Sequence, residues 1–195
     1  MSKKRVTLPK NFDELITAGD IEALKAVYDK CELTAHDGRY SLNTALHFGG
    51  VPDELVIWLV EQGLDVNTPD YYGRTPLYTH ATLGRDTVKL LYELGGDIQK
   101  TDTYGSTPLH TAARFFRPKI VSFLIEKGAD VNPKTVMGRT PLAEALATCR
   151  QINIAQVAEI AEMLIKAGAE VTPDMAERVE LIGKDFEFHR ENFNK

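Results

Sequence analysis

Apolar positions recur along the chain in short helical patterns, each with one buried face. Four segments place apolar residues at i, i+3 and i+4, the spacing of one side of an α-helix. Each segment ends near a glycine, which accepts the left-handed backbone that commonly terminates a helix. The apolar residues are Leu55, Val56, Trp58 and Leu59; Val88, Leu90 and Leu91; Ile120, Val121, Phe123 and Leu124; and Ile160, Met163 and Leu164. The glycines predicted to end these helices are Gly63, Gly96, Gly128 and Gly168.

A Thr-Pro-Leu turn recurs in the same register. Complete copies begin at Thr75, Thr107 and Thr140, and a degraded copy begins at Thr44. Threonine favours a helix N-cap, and proline is tolerated in the first turn because its missing N–H would be unpaired there. The acidic residue after each closing glycine recurs at steps of 32, 33 and 40, at Asp65, Asp97, Asp130 and Glu170. Such a period predicts a stack of similar helix-pair units.

These units resemble the ankyrin repeat, whose signature is a Thr-Pro-Leu-His turn opening a helix pair in a unit of about 33 residues. Residues 105–113 and 120–132 carry the resemblance most fully, and it covers about residues 10–172. It implies an all-α ankyrin-repeat solenoid of about five helix-pair repeats, with β-hairpin-like fingers and an extra C-terminal helix. It also implies that His47 and His110 tie their turns to neighbouring backbone.

The register divides the chain into seven segments. They are an N-terminal tail (1–9), an N-terminal capping repeat (10–36), ankyrin repeat 2 (37–69), repeat 3 (70–101), repeat 4 (102–134), repeat 5 with an insertion (135–172) and a C-terminal capping helix (173–195). Cys31 takes the place of the closing glycine in the capping repeat. The C-terminal helix is expected to be amphipathic through Met175, Val179, Ile182, Phe186 and Phe193. It either seals the last repeat or docks a partner.

Two regions differ in length from the repeat pattern. The finger before Thr44 is longer than the others and carries Arg39 and Tyr40. In repeat 5 the glycine follows the turn threonine by 28 positions, whereas in repeat 4 it follows by 21. The extra residues predict longer helices and a protrusion around residues 148–156. Such an insertion is either part of a binding face or a tolerated loop.

Two substitutions fall where a repeat normally has small or turn residues. His80 occupies an alanine position in repeat 3, and we expect a hydrogen-bonded core histidine there. Phe115 and Phe116 replace the usual Asn-Gly between the two helices of repeat 4. Phe115 has the register of Leu83 in repeat 3, which is predicted to face the concave groove. An exposed aromatic residue in such a groove is a candidate hot spot for binding.

Composition narrows the classes of function. A net charge of −5 and a pI near 5.6 argue against a nucleic-acid binder, which usually carries a basic patch. No apolar run reaches the roughly 18 residues that a membrane span needs, and no apolar stretch of a signal peptide follows the basic start. Cys31 and Cys149 are far apart, which predicts free thiols, a reducing compartment and a cytoplasmic location. We expect a monomer.

The sequence shows no arrangement that points to catalysis or to metal binding. The zinc-protease, zinc-finger, Walker and Rossmann spacings are all missing from it. The acids that recur in every repeat are expected to serve the repeat. We therefore expect no catalytic residue, no metal site and no cofactor.

The residues that vary between repeats are the candidates for binding. In ankyrin proteins these are the finger tips and the exposed side of the first helix, which line a concave groove. By register, the candidates are Tyr71, Tyr72, Arg74, Leu83, Tyr104, Arg114, Phe115, Met137 and Arg139. This set is rich in aromatic residues, arginine and methionine and contains no acid, which is the composition typical of protein interfaces. Alternatively, the tyrosines only pack one finger against the next.

The sequence thus predicts a non-catalytic module that binds a protein or peptide, with an acidic patch as the complement of its arginines. An adaptor, an inhibitor and an immunity-type protein all fit this description. The alternatives are a regulatory or targeting segment of a larger enzyme or effector, and an enzyme with an unrecognised site. The initial methionine and the capping repeat suggest a natural start, whereas the last residues give no clear stop.

Overall fold

The computed structural model describes residues 3–39 and 41–193, and it describes no side chain beyond residue 184. Tyr40, Phe186 and the Phe193 side chain, all named above, therefore lie outside the described part. The chain forms two compact units. The first contains Met1–His80 and Arg85–Thr103, and the second contains Ala81–Gly84 and Tyr104–Lys195.

The first unit is built mainly from short helices. Its elements are β1 (Arg5–Thr7), α1 (Phe12–Ala18), α2 (Ile21–Lys30), β2 (Cys31–His36), a 3₁₀ turn (Ala45–His47), α3 (Asp53–Glu61), most of α4 (Pro76–Leu83) and α5 (Thr87–Glu93). Its core contains most of the apolar residues predicted for the second helices of repeats 2 and 3, whereas Trp58 and Leu90 are half-buried. Leu55, Leu59, Val88 and Leu91 are fully buried.

The N-terminal segment carries a strand that sequence patterns did not predict. Strand β1 pairs in parallel with β2, with Arg5 opposite Cys31 and Thr7 opposite His36. The Leu8 N–H continues the pairing by donating to the His36 carbonyl at 2.8 Å. Cys31 corrects one expectation, because its backbone is extended at φ −112° and begins β2 instead of forming a left-handed helix end.

The second unit holds the remaining helices. Its elements are α6 (Pro108–Arg114), α7 (Pro118–Glu126), α8 (Pro141–Ala147), a 3₁₀ turn (Gln151–Asn153), α9 (Ile154–Lys166) and α10 (Pro173–Phe193). Helix α6 packs against α7 and α8, and α9 packs against α7, α8 and α10. The predicted apolar residues of α7 and α9 form the core, with Val121, Leu124, Ile160 and Leu164 fully buried.

The repeated threonines cap their helices as predicted. The Oγ1 atoms of Thr75, Thr107 and Thr140 accept the backbone N–H three residues later, at 3.2, 3.4 and 3.3 Å. Each hydrogen bond satisfies one of the amides that a helix start leaves unpaired. The degraded copy at Thr44 opens only the 3₁₀ turn.

The prediction that Gly96 ends the second helix of repeat 3 is wrong. Gly63, Gly128 and Gly168 have positive φ, but in repeat 3 it is Gly95, at φ 97°, that has the left-handed backbone. Gly96 is required for close packing. A Cβ atom at Gly96 would lie 2.6 Å from the Leu91 carbonyl oxygen and 2.9 Å from Leu77 Cδ1. Close packing therefore explains Gly96, and helix termination explains its neighbour.

The insertion in repeat 5 lengthens only one helix. Helix α8 has 7 residues, like α6, whereas α9 has 13. The remaining residues form the 3₁₀ turn, where Ile152 is 89% exposed. The prediction of a longer first helix is thus wrong, because α8 ends at Ala147 and the chain turns before α9 begins.

Helix α10 packs on the last repeat. It contacts α9 and α8, and it buries Ile182. A groove of about 700 Å³ remains between α9 and α10, lined mainly by alanine, isoleucine and valine side chains.

Candidate functional site

Two turn histidines fix the backbone of the next finger, as the resemblance implied. His110 Nε2 donates to the Arg139 carbonyl at 2.9 Å, and His47 Nε2 donates to the Arg74 carbonyl at 3.0 Å. Because a carbonyl only accepts, each imidazole carries its proton on Nε2. Burial lowers the pKa of His47, which keeps its ring neutral. In repeat 3, Tyr78 takes the histidine position and its hydroxyl donates to Asp102 at 3.0 Å.

The recurring acids also have structural partners. Asp65, Asp97 and Asp130 each accept the backbone N–H two residues later, at 2.7–2.9 Å. These bonds close the turn after each second helix. A carboxylate that holds a turn in every repeat is explained by the fold.

The fingers are joined by backbone hydrogen bonds. The Tyr71 N–H donates to the Ser41 carbonyl at 2.8 Å, and the Thr103 N–H donates to the Tyr72 carbonyl at 2.9 Å. In the second unit, the Val136 N–H donates to the Tyr104 carbonyl at 2.9 Å. Since main-chain bonds hold the fingers together, the tyrosine rings at the tips are not required for that purpose.

Three of the predicted residues form a cluster in the first unit, which we call the Tyr71 surface: Tyr71, Tyr72 and Arg74. The two rings meet edge to face at 5.3 Å, and the Arg74 guanidinium lies over Tyr72 at 4.9 Å. Asp70, whose side chain is fully buried, accepts from Arg74 Nε at 2.7 Å and pairs with Nη2 at 2.6 Å. Arg74 is therefore held and its charge is offset.

The other six predicted residues belong to the second unit and are called the Phe115 surface: Leu83, Tyr104, Arg114, Phe115, Met137 and Arg139. All six are exposed: 43% of Leu83, 45% of Phe115 and 77% of Met137 is accessible to solvent. Leu83 ends α4, one residue after Thr82, whose hydroxyl bonds the Thr111 hydroxyl of α6 at 2.7 Å. Tyr104 and Met137 lie on fingers that the bond between Val136 and Tyr104 joins.

The structure brings Arg114, Phe115 and Arg139 together around a residue that sequence reasoning missed. The guanidinium of Arg114 lies 5.8 Å from the centre of the Phe115 ring. Arg114 Nε is 3.9 Å from Glu144 Oε2, and Arg139 Nη1 is 3.6 Å from Glu144 Oε1. Glu144 lies in α8, four residues after Thr140, and was not among the residues predicted for the groove.

These ion pairs change the charge expected for the two surfaces. The nine predicted residues contain no acid, which suggested a groove with three unopposed arginines. In the structure Asp70 offsets Arg74, and one carboxylate, Glu144, is shared by Arg114 and Arg139. The positive charge that remains is thus concentrated on the Phe115 surface.

His80 is buried as predicted. Its side chain is fully inaccessible, and Nε2 donates to the Leu46 carbonyl at 3.0 Å. Burial lowers the pKa of His80 to about 4, so the ring is neutral near pH 7. This histidine is part of the core of the first unit.

No group of histidine, cysteine, aspartate and glutamate side chains within residues 3–39 and 41–184 could hold a metal ion. None of the helices in that part of the chain has the length and apolar character needed to cross a membrane.

Comparison with known proteins gives one family match. A family model described as ankyrin repeats (3 copies) matches residues 14–102 and, in a second overlapping match, residues 86–174. Among curated proteins, none matches this chain.

Proposed function

Because the chain belongs to the ankyrin repeat family, whose repeats are protein-interaction modules, we propose that it binds a protein partner through its finger and first-helix residues. The Phe115 surface is the main contact, and the Tyr71 surface is a second one. The single observation that carries the proposal is the cluster in which Arg114 and Arg139 share Glu144 and the Arg114 guanidinium lies near the Phe115 ring. Arginine and aromatic residues are the types that dominate binding energy at protein interfaces.

The exposure of the apolar side chains supports this proposal. Leu83, Phe115 and Met137 expose large apolar side chains on one compact unit. Exposed apolar side chains of this size are available to pack against a partner. The finger backbones that carry Tyr104 and Met137 are held by hydrogen bonds, so little conformational entropy is lost when a partner binds.

A strained backbone residue adjoins the same surface. Phe116 has φ 57°, which is the left-handed conformation that Gly84 adopts at the same turn of repeat 3. For a bulky L-residue this conformation costs roughly 1–2 kcal/mol. Strain of this kind clusters at functional sites, where it fixes the direction of a neighbouring side chain. Here the neighbour is Phe115.

We further propose that the module has no catalytic activity of its own. The recurring acids Asp65, Asp97 and Asp130 are engaged by backbone amides, and His47, His80 and His110 donate to backbone carbonyls. The titratable groups of the repeats are thus used by the fold. Binding of the partner is then the whole function, as in an adaptor, an inhibitor or an immunity-type protein.

A cytoplasmic location is proposed as well. Cys31 and Cys149 are not joined by a disulfide in the structure. Free cysteines are typical of a reducing compartment.

Removing the aromatic anchors should abolish binding. With the full chain as bait in affinity capture, replacing Tyr104 and Phe115 together by Ala should lose the partner, since central aromatic anchors contribute about 2 kcal/mol or more each. Thermal melting should stay cooperative, because both side chains are exposed. Quantification of the captured partner by mass spectrometry measures the loss.

Ile152→Ala is the matched control, because Ile152 is an exposed apolar residue of the repeat-5 insertion in the same unit. It should leave capture unchanged. Loss of capture in the control, together with full capture by the double variant, would move the binding face to the insertion. Replacing Tyr71 and Tyr72 by Ala tests the contribution of the Tyr71 surface in the same assay.

A further inference from the structure

Three charged side chains meet at the Phe115 surface, and one of them is nearly buried. Glu144 lies in α8, and its side chain is 9% exposed. Its two ion pairs, at 3.6 and 3.9 Å, are too long to be hydrogen bonds. Among the described residues, Glu144 Oε2 has no hydrogen-bond partner. A nearly buried carboxylate is stable only beside opposite charge, so Glu144 favours positions of both guanidinium groups close to it.

Both guanidinium groups remain accessible from the solvent side. The side chains of Arg114 and Arg139 are 57% and 50% exposed. A guanidinium carries five N–H donors in a planar fork, which suits two-point binding of a carboxylate. An ion pair on one side of each fork leaves donors on the other side. The three side chains together carry a net charge of +1.

We propose that Arg114 and Arg139 bind one carboxylate side chain of the partner, and that Glu144 positions both guanidinium groups for it. This inference rests on the proposed function, in which the Phe115 surface contacts a protein. One carboxylate brings the net charge of the cluster from +1 to zero. A phosphate group, with nearly two charges, would make the cluster negative, and a basic side chain would make it more positive.

The backbone of Arg139 is already fixed for this role. Its N–H donates to Thr135 Oγ1 at 3.2 Å, and its carbonyl accepts from His110 Nε2 at 2.9 Å and from the Thr135 N–H at 3.0 Å. A side chain on a fixed backbone loses less freedom when a partner binds. The turn histidine of repeat 4 thereby helps to place the arginine of repeat 5.

Repeat 3 offers an internal comparison. Arg74 has the register of Arg139, but the buried Asp70 bonds its guanidinium at 2.6–2.7 Å. In repeat 5 the position of Asp70 is taken by Thr135, which has no charge. Arg74 is therefore neutralised by its own finger, whereas Arg139 shares Glu144 with Arg114. This difference is why the carboxylate site is assigned to the second unit.

The neighbouring ring indicates what stands beside the carboxylate. The Phe115 ring lies next to Arg114, with 5.8 Å between the guanidinium carbon and the ring centre. An apolar side chain of the partner can pack on that ring. The expected recognition element is an acidic residue next to an apolar or aromatic one.

A selection experiment with random peptides tests the inference, because it does not require the partner itself. A phage library that displays such peptides is selected on the full chain and, in parallel, on the Arg114→Glu/Arg139→Glu variant. Peptides from the native chain should be enriched in Asp or Glu beside an apolar residue. Peptides from the charge-reversed variant should lose that preference and gain Lys or Arg.

Single variants then locate the contact. For an acidic peptide from the selection, Arg139→Ala and Arg114→Ala should each weaken binding about tenfold, as expected for a charge-assisted pair at an interface. Arg139→Lys should also weaken it, because lysine lacks the planar fork. Arg178→Ala, an exposed arginine on α10, is the matched control and should have no effect.

Glu144→Gln separates two effects of Glu144 on peptide binding: the positioning of the guanidinium groups and the negative charge itself. The glutamine keeps the shape but removes one negative charge, so the association rate for the acidic peptide should rise. The dissociation rate should rise as well, because the guanidinium groups lose their anchor. An unchanged dissociation rate in a variant that melts like the native chain would overturn the positioning role.

The outcomes distinguish this inference from the proposed function. Peptides that bind, depend on Phe115 and show no acidic preference would overturn the carboxylate site and leave the proposed function standing. The same holds if the native chain enriches peptides with Lys or Arg in place of Asp or Glu. A chain that selects no peptide and captures no protein would overturn both.

Discussion

Leu109→Ala should lower the free energy of unfolding by about 2–5 kcal/mol, in the upper part of that range. Leu109 is fully buried in α6, where residues 108–113 are all buried. Ala112 and Ala113 bring α6 close to its neighbours α7 and α8. Such close helices cannot collapse into the space that the leucine leaves, so the cavity term is kept. Urea denaturation followed by circular dichroism measures the change.

Leu83→Ala is the control for this prediction. It removes the same atoms, but Leu83 is 43% exposed, and a change of about 0.5 kcal/mol or less is expected. The two variants also have opposite expected effects on binding. Leu109→Ala should reduce capture only to the extent that it unfolds the chain, whereas Leu83 lies on the Phe115 surface. Equal losses of stability would contradict the assignment of Leu109 to the core.

The second large effect is a dependence of stability on pH that comes from His80. Burial lowers the pKa of His80 to about 4 in the folded state, whereas an unfolded histidine titrates near 6.5. Between these values the unfolded chain binds more protons, so stability rises with pH. The contribution is complete above about pH 6.5 and is lost as the pH falls towards 4. Its full size is about 3 kcal/mol.

His80→Gln isolates this contribution. The glutamine amide can donate to the Leu46 carbonyl as the imidazole does, but it does not titrate. Unfolding free energies measured between about pH 7 and about pH 4 should fall less steeply in the variant than in the native chain. His47, whose pKa burial also lowers, contributes with the same sign and remains in both proteins. Parallel curves for the two proteins would show that His80 is accessible to protons in the folded state.

The repeat signals in the sequence were sufficient to predict the first helices of repeats 3, 4 and 5 and their threonine caps. Thr107 and Thr140 cap α6 and α8, and His47 and His110 bond the next finger, as their register implied. These features depend on residues three or four apart, or on one repeat length, and both distances are visible in a linear sequence. Gly96 shows the limit, because two adjacent glycines gave no local sign of which one ends the helix. The structure assigns that role to Gly95.

The candidate site was only partly predictable. The sequence located Arg114, Phe115 and Arg139 by register, but it placed no acid among them. Glu144 was missed because helical periodicity shows on which face a residue lies, and not which side chains of the preceding repeat and of its own finger reach it. Strand β1 was missed for a similar reason, since its three exposed residues have no apolar pattern and its partner lies in residues 31–36.

The sequence by itself determined that this chain belongs to the ankyrin repeats, because repeats 3, 4 and 5 each carry their own cap, core face and closing glycine. Only the tertiary structure decided the charges of the candidate surface. It paired Arg74 with Asp70 inside one finger, and it placed one nearly buried carboxylate between Arg114 and Arg139. The physical reason is that local hydrogen bonds follow from sequence spacing, whereas the charge that remains at a surface depends on which side chains meet across repeats.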